Sequence, residues 1–137
     1  MRGDRDLARV LEDYFGEWSQ RTGIAVDVWA LPSRDVPVRV PQAVARNVFH
    51  AIREAFANVE RHSHARTVSV ALTVGRAGLR LTVSDDGTGF PPGTSGHGLV
   101  AMRASFAEVG GTLTINSVPG EGTTISGVVP PEALRAV

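Results

Sequence analysis

Apolar residues recur along the chain with two different periods, which predict helices and strands in a fixed order. Steps of three and four residues predict three helices: Leu7 to about Gly23, Pro41 to about His64, and a third that ends at Val109. Alternation predicts strands at 24–30, 67–74, 78–84, 112–117 and 123–129, with a short edge strand at 38–40. This order implies an α/β (α+β) fold, a two-layer sandwich with helices on one face of a mixed, mostly antiparallel sheet.

The composition indicates one compact domain covering residues 1–137. With 42% hydrophobic residues in 137, the chain can bury a core but is too short for two full domains. Basic and acidic residues number 14 each, so charge gives no reason to expect binding to nucleic acid or to an anionic membrane. The absence of cysteine excludes disulfides and thiolate metal sites and fits a reducing, cytoplasmic compartment. Trp18 and Trp29 fall at apolar positions, where we expect both to pack in the core.

The stretch DDGTGF, from Asp85 to Phe90, holds the first candidate chemistry. It follows the alternating run at 79–83, so its first carboxylate lies at the end of a predicted strand. Glycine at every second position leaves the backbone open enough for a ligand to approach that carboxylate. Taken alone, the motif also fits a plain hairpin turn, because Asp-Gly is a common turn dipeptide.

The long second helix carries another candidate group of residues. Its apolar stripe consists of Val44, Val48, Ile52, Ala55, Phe56 and Val59. On the opposite side, Glu54, Asn58 and His62 stand at successive i, i+4 positions, with Arg61 beside them. Most polar helix faces are simply solvated, but a carboxylate, an amide oxygen and two basic groups in this order suit a magnesium–phosphate ligand.

A glycine-rich segment at 93–98 precedes the third helix. Glycines that lead into a helix N-terminus leave backbone N–H groups unpaired at the positive end of the helix dipole, and both features favour phosphate. No G-K-[ST] follows, so the segment is not a Walker A loop. Coming after the polar helix face and DDGTGF, it completes the pattern of a nucleotide site.

These stretches resemble the nucleotide boxes of the Bergerat-fold ATPases, the superfamily of DNA gyrase, a heat-shock chaperone and sensor histidine kinases. The boxes are REAFANVERH at 53–62, SDDGTGF at 84–90, GHGLVAMR at 96–103 and GEGTT at 120–124. They are most similar to the ATP-binding catalytic domain of bacterial two-component sensor kinases. The similar subclass has a first box that begins with Glu and partner regulators that carry a helix-turn-helix. The resemblance extends from about Leu7 to Pro130.

The resemblance implies ATP and Mg²⁺ as cofactors and a role for each matching residue. Asp85 matches the adenine reader, Gly87 and Gly89 match the glycines beside the base, and Thr123 matches the threonine behind it. Asn58 matches the Mg²⁺ ligand, and Glu54 matches the catalytic acidic residue of the first box. The phosphates are expected to contact Arg61, His62, Gly96, His97, Gly98 and Leu99, the last four near the end of a lid at about 85–98.

The implied reaction moves the γ-phosphoryl group of ATP to a histidine on a separate dimerisation domain and leads indirectly to a response regulator. None of the four histidines has the setting of that acceptor, so the dimerisation domain is expected outside this chain. The chain itself is expected to be a monomer that binds ATP without autophosphorylation. We expect it in the cytoplasm, either free or as part of a membrane-bound sensor. Two alternatives stay open: an anti-sigma-factor serine kinase with the same fold, and a nucleotide-gated binding module without chemistry.

Overall fold

The computed structural model describes residues 4–32, 40–87, 97–118 and 120–134, without the side chains of 4–6, 62–63 and 97–98. Its elements are α1 (Asp4–Thr22), β1 (Ala25–Ala30), α2 (Gln42–Asn58), a π-helical turn (Val59–Ser63), β2 (Thr67–Gly75), β3 (Gly78–Asp85), α3 (His97–Glu108), β4 (Thr112–Val118), β5 (Gly122–Val129) and α4 (Pro131–Leu134). The elements predicted from apolar spacing are confirmed to within a few residues, whereas α4 was not predicted. The edge strand expected at 38–40 falls mostly outside the described residues, and Val40 itself is not in a strand.

The strands form one mixed sheet in the order β1-β2-β3-β5-β4. β1 and β2 are parallel, and α2 lies in the crossover that a parallel pair requires. The remaining neighbours are antiparallel. A two-residue turn, Arg76-Ala77, joins β2 to β3, and Gly78 has the positive φ (109°) that this tight connection needs. The mixed, mostly antiparallel sheet is therefore confirmed.

The hydrophobic core lies between the sheet and the helices that cover one of its faces. All six residues of the predicted α2 stripe are buried, and β2 and β3 point alternate apolar side chains toward them. Phe56 is at the centre of an aromatic cluster, stacked on Phe15 at 5.0 Å and edge-on to Trp18 at 4.8 Å between ring centroids. These contacts fix α1 against α2.

Trp29 departs from the expectation that both tryptophans are buried. Trp18 is in the core, but Trp29 is 73% exposed and donates its indole N–H to the carboxylate of Asp27 at 2.7 Å. Successive residues of β1 point to opposite faces of the sheet. Trp29 lies beside Ser69 and Thr82 on the face that polar residues line, so the core prediction for Trp29 was wrong.

The sheet and α2 together bring three strand ends to one edge of the fold. Asp85, the last residue of β3, is the register partner of Val68 near the start of β2 and of Thr123 near the start of β5. The π-helical turn leads from the end of α2 directly toward β2. Asp85 and Thr123, which belong to two different sequence boxes, are therefore neighbours at this edge.

Candidate functional site

Asp85 places a carboxylate at the end of β3, between the two neighbouring strands. It is half-buried, and its Oδ1 accepts a hydrogen bond from the N–H of Gly87 at 2.9 Å. Burial raises the pKa of Asp85, and backbone N–H groups of Gly87 and Thr123 act in the opposite direction. The backbone thus holds a partly desolvated hydrogen-bond acceptor at this edge.

Asp86, the next residue, has a different task. Its Oδ1 accepts the backbone N–H groups of Arg66 at 2.9 Å and Thr67 at 3.0 Å. These hydrogen bonds, that of Thr67 first, lower the pKa of Asp86 although the side chain is exposed. Asp86 therefore fastens the loop after β3 to the start of β2, a role that the sequence analysis did not assign.

Thr123 and Gly122 close the site on the β5 side. Thr123 is buried, and its hydroxyl lies 2.9 Å from the hydroxyl of Ser117. Gly122 has φ 98°, and a Cβ there would collide with the carbonyl oxygen of Asp85. Only glycine lets the backbone come this close. Gly122 lies within the GEGTT box, which was the available signal, but the sequence analysis did not single it out.

Asn58, the last residue of α2, is buried at 8% exposure. It follows Ala51 by seven residues and Ala55 by three, so it lies at the margin of the buried stripe. The expectation that Asn58 lies on the side opposite the apolar stripe is therefore wrong, whereas its i, i+4 placement one turn after Glu54 holds. Its Nδ2 is buried without a hydrogen-bond partner among the described residues. Buried polar groups are rarely left without a hydrogen bond, so a ligand that accepts one from this amide would explain its burial.

Glu54 lies one turn earlier, half-buried in a polar groove between α1 and α2. Arg53 and Arg61 line the groove from α2 and the turn, and Tyr14 and Arg21 line it from α1. The structure thus gives Glu54 and Arg61 a common groove, while Asn58 is turned toward the interior.

The π-helical turn continues α2 in a wider geometry. The N–H of Val59 is shared between two successive carbonyl oxygens, and the chain leaves the turn at His64 in the left-handed region, with φ 54°. Arg61 is exposed on this turn, and His62 also belongs to it. π-Helical turns often occur at functional sites. The backbone that follows Asn58, through His62, is this π-helical turn and not the regular α-helix that was predicted.

His50 joins α2 to the helix that follows the lid. Its Nδ1 lies 2.9 Å from the hydroxyl of Ser105 on α3, and Ser105 is buried. This contact was not predicted from the sequence, because nothing in the spacing pairs residues that are 55 positions apart.

The predicted lid falls largely outside the described residues. Gly89 and Gly96 lie there, whereas His97 and Gly98 begin α3 and Leu99 is half-buried on it. No group of three or more His, Cys, Asp or Glu that could hold a metal occurs among the described residues. None of the described helices combines the length and apolar character needed to cross a bilayer.

Comparison with known proteins identifies relatives of this architecture. Residues 43–133 match the family of histidine kinase-, DNA gyrase B- and HSP90-like ATPases. The sensor histidine kinase LiaS of Bacillus subtilis is 38% identical over 94 residues, which cover 66% of this chain and 26% of LiaS. The sensor histidine kinase MctS of Rhizobium johnstonii is 34% identical over 140 residues, which cover 98% of this chain and 30% of MctS. The chain therefore spans less than a third of these relatives.

A solved structure supports the same fold. The histidine kinase domain of a blue-light activated histidine kinase from Erythrobacter litoralis superposes with a TM-score of 0.76 at 24% identity. The match covers 95% of this chain and 64% of that chain. The predicted α+β sandwich is thus confirmed.

Proposed function

The chain belongs to the family of histidine kinase-, DNA gyrase B- and HSP90-like ATPases, which implies ATP binding, and we propose that it is the catalytic domain of a sensor histidine kinase. Its curated relatives are sensor histidine kinases, which supports a catalytic role in two-component signalling. The comparisons give no support to an anti-sigma-factor serine kinase or to a binding module without chemistry. In this proposal residues 1–137 are one ATPase domain with a lid at about 85–98.

The observation that carries the proposal is that the backbones of Gly87 and Gly122 lie close to Asp85. The half-buried carboxylate accepts the N–H of Gly87, and Gly122 packs against the backbone carbonyl of Asp85, so an acceptor for the adenine amino group lies where the ring can approach backbone. Thr123 closes the pocket behind the base, and Gly89 is proposed to lie beside it. The carboxylate of Asp86 is bonded to the start of β2, which favours Asp85 as the reader.

The buried amide of Asn58 fits a magnesium–phosphate ligand. Its unpaired Nδ2 would donate to a phosphate oxygen, while its Oδ1 would contact Mg²⁺. Since the described residues hold no cluster of carboxylates, phosphate oxygens and water would supply most of the other ligands. When bound, Mg²⁺ would neutralise the charge that develops on the transferred phosphoryl group.

The remaining residues would hold the phosphates and handle a proton. Arg61 and His62 on the π-helical turn are proposed to contact phosphate oxygens, together with Gly96, His97, Gly98 and Leu99. One ring nitrogen of the acceptor histidine would attack the γ-phosphorus, and the bond from phosphorus to the leaving ADP oxygen would break. Glu54 would accept the proton from the other ring nitrogen, so that the attacking ring nitrogen keeps its nucleophilic character.

The acceptor histidine is proposed to lie on a dimerisation domain of the same kinase, and the response regulator would be reached through it. We infer a cytoplasmic location, where ATP is available. Calorimetric titration with ATP and MgCl₂ tests the proposal first. Saturable binding that Mg²⁺ strengthens supports it, and absence of binding by folded protein would refute it.

A further inference from the structure

The last turn of α1 is tied to the π-helical turn by an ion pair. Nη1 of Arg21 lies 2.8 Å from Oε2 of Glu60, and Nη2 of the same guanidinium lies 3.2 Å from Oε1. The two contacts form the bidentate geometry that fixes orientation as well as distance. The partners are 39 residues apart in the chain, so the pair links separate elements.

The turn that Glu60 belongs to is buried at its first residue, Val59, but exposed at Glu60 and Arg61. Its first N–H is divided between two carbonyl oxygens, and it ends in a left-handed residue, His64. Glu60, Arg61 and His64 are all exposed, so core packing does not hold them. A contact from another element, such as the one from Arg21 on α1, can therefore set the orientation of the Arg61 side chain.

A second α1 side chain faces the same carboxylate. The indole of Trp18 is buried and its Nε1 has no hydrogen-bond partner among the described residues. It nevertheless lies near enough to help Arg21 lower the pKa of Glu60, with Arg21 the main cause. Trp18 itself packs edge-on against Phe56 of α2, so the indole is fixed in the core.

We propose that Arg21 is a positioning residue of the nucleotide site. By holding Glu60, it orients the π-helical turn so that Arg61 and His62 meet the phosphates. This inference rests on the proposed function, because it needs phosphate at that turn. It adds a residue on α1, outside all of the nucleotide boxes, to the groups on which ATP binding depends.

The negative charge of Glu60 allows the positioning role to be distinguished from a direct electrostatic effect of Glu60 on the bound phosphates. Removing the negative charge of Glu60 near bound phosphate should strengthen ATP binding if Glu60 acts only through its field. If Arg21 instead orients the turn through its ion pair with Glu60, removing the Glu60 carboxylate should weaken ATP binding. The two explanations therefore predict opposite signs for Glu60→Ala.

The experiment compares Arg21→Ala, Glu60→Ala, the double variant and Arg21→Lys with Arg9→Ala. Arg9 is an exposed α1 arginine that forms no ion pair with another described residue, so it is the matched control for charge. Affinities for ATP, ADP and adenosine are measured by calorimetry at low salt, where an exposed pair is strongest. Because the side chains of the pair are 61% and 39% exposed, the variants are expected to fold.

Both single alanine variants should bind ATP and ADP about two- to fivefold more weakly, with adenosine unchanged. The double variant should be no weaker than either single one, Arg21→Lys should retain part of the affinity, and Arg9→Ala should match wild type. Hydrogen exchange of the amides at 59–64 should also rise in both single variants but not in Arg9→Ala.

Tighter ATP binding by Glu60→Ala, additive losses in the double variant, or equal losses for adenosine would overturn the role of Arg21. Unchanged affinity for all three ligands would overturn it as well. Failure of wild-type protein to bind ATP would instead overturn the proposed function, so the two failures are distinct.

Discussion

Asp86 and Thr67 form hydrogen bonds with each other in both directions. Oδ1 of Asp86 accepts the N–H of Thr67 at 3.0 Å, and the N–H of Asp86 donates to the carbonyl oxygen of Thr67 at 3.3 Å. The same Oδ1 accepts the N–H of Arg66. Asp86 thus fixes the loop after β3, which follows the proposed adenine-binding Asp85, to the segment that leaves the π-helical turn. One side chain therefore holds together the segments proposed to bind the base and the phosphates.

Asp86→Ala should destabilise the protein by removing the acceptor of two backbone N–H groups. We expect a loss of about 1 kcal/mol in the free energy of unfolding, below the range for buried charged acceptors because the carboxylate is exposed. Asp86→Asn keeps an acceptor oxygen and should lose less. Urea unfolding measures both variants, and equal losses for Asn and Ala would contradict the assigned hydrogen bonds.

Asp85→Asn should weaken ATP binding, because the amide oxygen is a poorer acceptor for the adenine amino group than a carboxylate. The loss of a charge-assisted hydrogen bond corresponds to about 1.5–3 kcal/mol, or roughly tenfold to a hundredfold in affinity. Discrimination against GTP should fall with it. Calorimetry that gives a Kd within about twofold of wild type would exclude Asp85 as the reader.

The same substitution should stabilise the protein without nucleotide. Burial raises the pKa of Asp85 above the ordinary 3.8, so its favourable contribution is present below that value and is lost as pH rises through the folded-state pKa. At neutral pH the ionised carboxylate therefore destabilises the free protein, and Asp85→Asn should raise the free energy of unfolding. The gain should shrink toward acidic pH.

Asp86 provides the control with the opposite sign. Hydrogen bonds from Thr67 and Arg66 lower its pKa, so its contribution is present above 3.8 and is lost as pH falls through the folded-state value. Asp86→Asn should therefore reduce stability at neutral pH. If Asp85→Asn and Asp86→Asn change the free energy of unfolding in the same direction at neutral pH, the opposite pKa shifts assigned to the two carboxylates are wrong.

Asn58→Ala should reduce Mg²⁺-dependent ATP binding while metal-free ADP binding changes little. Since Nδ2 of Asn58 is buried and unpaired among the described residues, its removal should leave the free energy of unfolding unchanged or higher. Asn47→Ala is the matched control on the same helix, because its exposed side chain donates to the carbonyl oxygen of Ala43, one turn earlier in α2. Equal loss of both kinds of binding would instead make Asn58 a structural residue.

Apolar periodicity predicted the main helices and strands because this fold buries one side of α1, α2, β2, β3 and β5. The stripe of α2 and the alternation of β2 and β3 need only local spacing to be recognised. Trp29 could not be placed in this way, since alternation does not say which face of a sheet the helices cover. Its exposure follows from the arrangement of the other elements.

The sequence alone named candidate site residues, but it did not indicate the contacts that support them. Asp85, Asn58 and Thr123 stand in recognisable boxes, and their roles remain predictions. The pairs Arg21–Glu60 and His50–Ser105 join residues far apart in the chain, and no local pattern indicates them. The π-helical turn was missed because the stripe ends at Val59, where periodicity no longer constrains the backbone.

Glu54 should matter for transfer more than for binding. Glu54→Gln keeps the size of the side chain but removes the base, so it should slow transfer to the acceptor domain by about a hundredfold or more while changing the ATP Kd little. Single-turnover transfer at saturating ATP measures the first quantity, and calorimetry measures the second. A parallel loss of affinity and rate would assign Glu54 to nucleotide binding.

The most direct test of the central claim is transfer of label from γ-labelled ATP to the proposed histidine-bearing dimerisation domain, supplied as a separate protein. We expect acid-labile label on that domain, which forms slowly because the two domains are not tethered, and no label on this chain alone. The Asp85→Asn variant should transfer little at limiting ATP. Acid-labile label on the chain itself, acid-stable label on a serine of a partner, or no transfer despite saturating ATP would contradict the account.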